Sequence, residues 1–145
     1  ALGCDLLIAA CPVEFGLPEM PLGIVPDAGA LHRLPRRIPH NIAMEMFLLG
    51  RRMTAHEAAH YGLVNKVVPD EALDEEADKI AAKIAAGPGM AYAGIQRTRN
   101  AAERLSFEDS VSTEAAGNAR ASMSHDGKEA AMAFMEKRAP NFRGY

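Results

Sequence analysis

Two carboxylates in one short stretch are the residues here best suited to chemistry. Glu19 and Asp27 both lie in Phe15-Gly-Leu-Pro-Glu-Met-Pro-Leu-Gly-Ile-Val-Pro-Asp-Ala-Gly29. Pro18, Pro21 and Pro26 each fix φ and disfavour the α region for the residue before them, so Glu19 is expected on a stiffened loop. An acid set between Leu17, Pro18, Met20 and Leu22 loses part of its hydration, and a desolvated carboxylate is one that can exchange a proton near neutral pH. The plainer reading of Glu19 is a surface charge on a loop, and the residues by themselves slightly favour it. Asp27 falls where a helix should begin, and its plainer reading is the N-cap.

A second pattern, His56-Glu-Ala-Ala-His60, has the H-E-x-x-H spacing that puts two zinc ligands on one helix face with a glutamate base between them. The preceding residue pattern argues against a metal. Thr54-Ala-His-Glu57 is a capping box, which commits Glu57 to the helix start, and Gly62 closes the helix after about two turns. Two exposed helix histidines and no metal site are therefore expected. Cys4 and Cys11, the only cysteines, lie in or beside an apolar segment, where buried thiols are common, and two cysteines cannot build a metal quartet.

The elements that must hold these residues follow from periodicity. Residues 5–10 form a nearly continuous apolar run of strand length stopped by Pro12, and Val64 to Val68 reads as a short strand ended by Pro69. Between them, Ala28 to Arg37 reads as a short helix with Leu31, Leu34 and Ile38 on one face. Asn41 to Leu49 is apolar around most of its circumference, which predicts burial against several neighbours before Gly50 ends it. From Asp70 onward only helices are expected. Leu73, Ala77, Ile80 and Ile84 mark one stripe up to Gly87-Pro-Gly89, an Ala-rich helix follows to Leu105, and capping-box starts are read at Ser106-Phe-Glu-Asp109 and Asp126-Gly-Lys-Glu129. The tail from Ala139 to Tyr145 is read as loop. The chain thus divides into a β/α portion, 1–69, and a helical portion, 70–145, whose Ala- and Met-rich helices suit docking on a partner surface, most economically another copy.

Composition excludes several classes. Sixteen basic against nineteen acidic residues give a net charge of −3, and no aromatic-rich basic run supports nucleic-acid binding. The cluster His32, Arg33, Arg36, Arg37 and His40 is read as a solvated face. No apolar run approaches the ~20 residues of a membrane span, so no membrane partner and a soluble, cytoplasmic protein are expected. The opening Ala1-Leu-Gly-Cys-Asp-Leu-Leu, without Met or cap, reads as an entry in mid-element, the mark of a fragment.

On these residues the chain resembles the C-terminal half of the enoyl-CoA hydratase/isomerase (crotonase) family. The resemblance rests on Phe15 to Gly29, on Met44-Glu-Met-Phe-Leu-Leu-Gly-Arg-Arg-Met-Thr-Ala-His-Glu-Ala58, on Gly62-Leu-Val-Asn-Lys-Val-Val68 and on Ala133-Phe-Met-Glu-Lys-Arg138. Within the family, Leu17-Pro-Glu, Val25-Pro-Asp and Arg51-Arg52 look most like the carnitinyl-CoA dehydratase branch. The implied fold is α/β: the C-terminal part of a spiral β/α core followed by a helical trimerisation region, with trimers often paired as hexamers.

The implied activity is that of a lyase on acyl-CoA thioesters, such as those of fatty acid metabolism. An oxyanion hole of two backbone N–H groups holds the enolate while carboxylates move protons. Glu19 falls on the family's second catalytic glutamate. The first, with the glycine-rich oxyanion segment, would belong to an N-terminal half upstream of Ala1. Asp27 departs from the glycine common in hydratases and matches positions where some isomerases and an aroyl-CoA dehalogenase use an aspartate. If both carboxylates face one pocket, full ionisation of both is disfavoured, which suits an acid/base pair. Ala30, where glycine is usual, is a second departure.

Phe134 and Lys137 match positions that close over coenzyme A, which enters as part of the substrate rather than as a cofactor. Lys137 would face a phosphate; its plainer reading is a last-turn lysine that favours the helix dipole. Three readings are therefore carried forward: a hydratase or dehydratase, a Δ3–Δ2 enoyl-CoA isomerase using Glu19 or Asp27, and an inactive oligomerisation fragment lacking the oxyanion hole.

Overall fold

The apolar run at residues 5–10 becomes a strand only over its last three residues. In the computed structural model, which describes residues 1–145, β1 (Ile8–Ala10) pairs in parallel with β4 (Lys66–Val68). Parallel strands need a long crossover. Here it comprises β2 (Glu14–Phe15), a 3-10 turn (Met20–Leu22), α1 (Ala30–Arg33), a second 3-10 turn (Leu34–Arg36), α2 (His40–Leu49), β3 (Met53–Thr54) and α3 (Ala55–His60). The antiparallel pairing of β2 with β3 sets Glu14 opposite Thr54 and Phe15 opposite Met53, so the start of the proline loop lies beside the start of α3. Two-residue strands carry too little alternation to be read from sequence.

The chain forms two compact units, Ala1–Lys79 and Ile80–Tyr145. Composition changes ten residues earlier, at 69/70. An ion pair of 2.7 Å between Lys66 of β4 and Glu76 keeps the first turns of α4 (Leu73–Ala85) with the first unit. No residue of α4 is fully buried: of the stripe, Leu73 and Ile80 are half-buried and Ala77 and Ile84 exposed.

In the first unit the core is built on α2 and its neighbours, with Leu34, Ala43, Met46, Met53, Ala55 and Ala58 all within 2% of full burial. Burying a side chain such as Leu34 contributes roughly 1.5–3 kcal/mol. α2 is more one-sided than its composition predicts: Ile42, Ala43, Met46 and Phe47 are buried, whereas Leu48 and Leu49 are exposed. Gly50 ends it in the left-handed region at φ +65°. The stretch read as one helix from Ala28 to Arg37 is shortened because Ala28 and Gly29 both have positive φ and Pro35 forces a 3-10 turn. The capping box of α3 is present: the Glu57 N–H donates to Thr54 Oγ1 at 3.2 Å, and the Thr54 N–H donates to Glu57 Oε2 at 2.9 Å. Cys4 and Cys11 are free and exposed, against expectation, because only Ala9 and Ala10 of that segment reach the core.

In the second unit α5 (Gly89–Ala102) packs on α6 (Phe107–Met123) through small residues. A Cβ on Gly117 would stand 3.3 Å from Thr98 Oγ1, which marks how closely the two backbones approach. Ser106 caps α6 as expected by accepting the Asp109 N–H.

The start of α7 (His125–Glu136) differs from the expected Asp126–Glu129 box. Ser124 is the N-cap, accepting the Gly127 N–H at 3.0 Å while donating to the Ala121 carbonyl at 2.6 Å. A Cβ at Gly127 would stand 2.3 Å from that carbonyl oxygen, so the turn between α6 and α7 requires glycine there. The two acids, released from capping, take hold of the tail. Asp126, 1% exposed, accepts the N–H groups of Arg143 and Gly144 at 2.7 and 2.8 Å. Glu129 accepts the Asn141 N–H at 2.9 Å and both Nη groups of Arg138 at 2.6 and 3.1 Å. The tail is irregular, as expected, yet tied to α7 along its length. No helix is long and apolar enough to cross a membrane.

These contacts make stability depend on acid. Arg138, and after it the Asn141 N–H, hold the Glu129 carboxyl down from 4.5 to about 2, and the Arg143 N–H acts in the same direction on Asp126 against the effect of burial. A depressed folded-state value means that the stabilisation from Glu129 is complete above 4.5 and is lost as pH falls toward about 2. In the intact protein, melting temperature should fall through that window, and Glu129→Gln should flatten the acid limb. Identical acid limbs for the two proteins would remove Glu129 from the account.

Candidate active site

Glu19 owes its position to the backbone on both sides of it. It adopts φ −72°, ψ −35°, and its carbonyl accepts N–H groups from Leu22 at 3.0 Å and Ile24 at 3.2 Å. Gly23, at φ +70°, closes the turn by donating to the Met20 carbonyl at 3.0 Å. Met20 stays in the 3-10 turn despite Pro21, contrary to the usual bias of a residue before proline. The turn rests on the end of α2. A Cβ built on Gly50 would meet Met20 Cε at 3.2 Å and Pro21 Cγ at 3.9 Å.

The side chain of Glu19 is half-buried, and its Oε2 is enclosed without a hydrogen-bond donor. Asp27 is exposed and is not the helix N-cap. That position is Gly29, with no side-chain cap, and the Ala30 N–H goes to the main-chain carbonyl of Asp27 at 2.9 Å. The Asp27 carboxylate is thereby free of the helix. Its neighbour Ala28 has φ +50°, a conformation costing a non-glycine residue about 1–2 kcal/mol, directly followed by Gly29 at φ +82°. Ala30 is buried at the first position of α1.

Glu19 and Asp27 line one cavity of about 340 Å³. Its other walls include Leu2, Phe15, Leu17, Leu34, Met46 and Leu63. Glu19 and Asp27 are the two titratable side chains among the lining residues.

Phe134 and Lys137 belong to the second unit. Phe134, near the end of α7, is 84% exposed; Lys137 is the exposed C-cap of that helix, left-handed at φ +54°. His56 and His60 are both exposed. Glu57 between them is bound to Thr54 and, at 3.0 Å, to Arg51, which also pairs with Glu45. The Thr54 N–H, then its hydroxyl and Arg51, hold the Glu57 carboxyl below the usual carboxylate range, the opposite of what a helix-borne general base needs. The sequence reading missed the support of the proline turn by Gly50 and the ties from Glu129 to Arg138 and Asn141. Gly50 was visible only as a helix stop, and a contact nine or twelve residues along the chain leaves no periodic trace.

The enoyl-CoA hydratase/isomerase family model matches residues 1–145. The chain is 38% identical over 148 residues to a carnitinyl-CoA dehydratase from Proteus mirabilis, covering 99% of this chain and 57% of that protein. An enoyl-CoA hydratase from Bacillus anthracis matches with a TM-score of 0.93 at 37% identity, covering 99% of this chain and 56% of the other. One from Mycobacterium tuberculosis matches with a TM-score of 0.93 at 35% identity, covering 100% and 57%. The chain thus spans a little over half the length of these relatives and shares their crotonase-type fold over that length, as the resemblance implied.

Gly50→Ala tests whether the α2 terminus supports the site. A methyl group there meets Met20 and strains a left-handed residue, at a cost of roughly 1–2 kcal/mol. Lower thermal stability of the intact protein together with a reduced turnover number is expected. Loss of stability with turnover unchanged would show that the turn does not depend on this contact.

Proposed function

The chain belongs to the enoyl-CoA hydratase/isomerase family, and from that premise we propose that the intact protein is a hydro-lyase that adds water to, or removes it from, an acyl-CoA thioester. The observation that carries this reading is that Glu19, whose Oε2 has no donor, lines one apolar cavity together with Asp27. A carboxylate on that wall takes a substrate C–H or a water as its partner in the cavity.

In this reading Glu19 moves the proton at Cα or on the attacking water. The enolate oxygen is held by two backbone N–H groups contributed from outside residues 1–145. An earlier glutamate, also from outside, shares the proton transfers. The reaction asks for no group beyond side chains, backbone and the thioester itself. Phe134 packs on coenzyme A, and Lys137 faces one of its phosphates as a point charge. The similarity to carnitinyl-CoA dehydratases supports a β-hydroxyacyl substrate of that kind. Exposed apolar residues of the second unit, among them Ile95, Phe107 and Met123, suit a surface for association into trimers or hexamers.

A second reading, the Δ3–Δ2 enoyl-CoA isomerase, is favoured by one observation: Asp27 lines the same cavity with a carboxylate not used at the helix start. Two substitutions in the intact protein separate the readings. Glu19→Gln should lower kcat for crotonyl-CoA hydration roughly 10²- to 10⁴-fold with KM little changed, the range for loss of a general acid or base. Asp27→Asn should change hydration far less. Unaltered hydration by Glu19→Gln would sink the assignment of Glu19. Loss of 3-enoyl-CoA isomerisation in Asp27→Asn, in a protein whose isomerisation exceeds its hydration, would select the isomerase. An intact wild-type protein lacking both activities would select the oligomerisation module.

A further inference from the structure

We propose that Glu129 and Arg138 are positioning residues for coenzyme A, acting by fixing the bend from which Lys137 presents its ammonium group; this rests on the reading of Lys137 as the phosphate-facing cation. Lys137 is one of two non-glycine residues with positive φ. A glycine would make the same helix end without steric strain, so the side chain has a use that offsets it. Lys137 forms no ion pair and is exposed, whereas the residues around it are bound on every side.

The Arg138 N–H donates to the carbonyl of the buried Ala133 at 3.0 Å. The Arg138 guanidinium forks onto both oxygens of Glu129 at 2.6 and 3.1 Å and reaches Glu136 through Nε at 2.6 Å. Glu129 Oε1 also holds the Asn141 N–H. A bidentate pair fixes direction as well as distance, and this one grips the chain on both sides of residue 137. Asp126, one turn earlier, ties Arg143 and Gly144 to the same helix, so the bend cannot swing with the tail. The arrangement thus aims a free cation from a fixed point.

The test is calorimetric titration of the intact wild type and variants with coenzyme A and with pantetheine, which lacks every phosphate, alongside thermal melts. Lys137→Gly should weaken coenzyme A binding roughly tenfold, the scale of one charge-assisted contact, with pantetheine affinity unchanged and melting temperature equal or higher. Arg138→Met should weaken coenzyme A selectively, and in the Lys137→Gly background it should add less than about twofold, since the two residues act as one unit. Glu129→Gln, which keeps an acceptor for Asn141, should behave like Arg138→Met with a smaller loss of stability. If Lys137→Gly weakens coenzyme A but Arg138→Met and Glu129→Gln do not, or if their effects add to it in full, the positioning role fails while the Lys137 reading stands. If Lys137→Gly leaves coenzyme A affinity unchanged, that reading and the inference both fall. Equal loss toward pantetheine would reduce the clamp to a purely structural contact.

Discussion

A carboxylate oxygen shut away from solvent without a donor is costly to keep, and much of the first unit can be understood from how Glu19 is made to carry one. The side chain cannot relax toward water unless its backbone turns, and the backbone is tied by two N–H groups on its carbonyl, by the left-handed Gly23 and by Pro18 and Pro21 on either side. The turn is in turn seated on Gly50, where α2 stops with no side chain in the way. α2 itself is fixed by the core through Ala43, Met46 and Phe47. Each link is ordinary packing or hydrogen bonding. Together they hold Glu19, with one unsatisfied acceptor, on the wall of an apolar cavity.

The other anchored acids show how different that is. Glu57 closes a capping box and meets Arg51; Asp126 accepts two tail amides; Glu129 accepts an amide and a guanidinium. All three are held ionised by their partners and are thereby used up in structure. Reactivity and structural use are alternatives for a carboxylate, since a fully satisfied anion has little tendency to take a proton. By that criterion Glu57 is disqualified as a metalloprotease base despite a literal motif, whereas Glu19 keeps one oxygen without a donor.

What was legible in the sequence was what local rules determine. The Thr54–Glu57 box, the stop at Gly50, the β4 strand before Pro69 and the cap at Ser106 depend on a few adjacent residues, and each is found in place. Contacts between distant residues were not legible. Asp126 and Glu129 look like helix-start acids until the returning tail supplies donors twelve to eighteen residues away. The start of α7 was misplaced for the same reason, because nothing local separates Ser124 from Asp126 as a cap. The plainer reading of Asp27 as an N-cap fails because the two successive positive φ angles at Ala28 and Gly29 displace the helix start. Both acids of the candidate site could thus be named in advance. Their shared cavity could not, because that depends on Met46 and Leu63 arriving from α2 and the segment after α3.

Whether the unpartnered oxygen of Glu19 is kept for substrate is decided by a crystal structure of the intact protein with an unreactive acyl-CoA thioether bound. Glu19 Oε2 is expected within about 3.5 Å of the acyl Cα, or of an ordered water lying over Cβ, with no protein donor on that oxygen. A Glu19 Oε2 satisfied by a backbone or side-chain donor, with the acyl chain lying elsewhere, would contradict it.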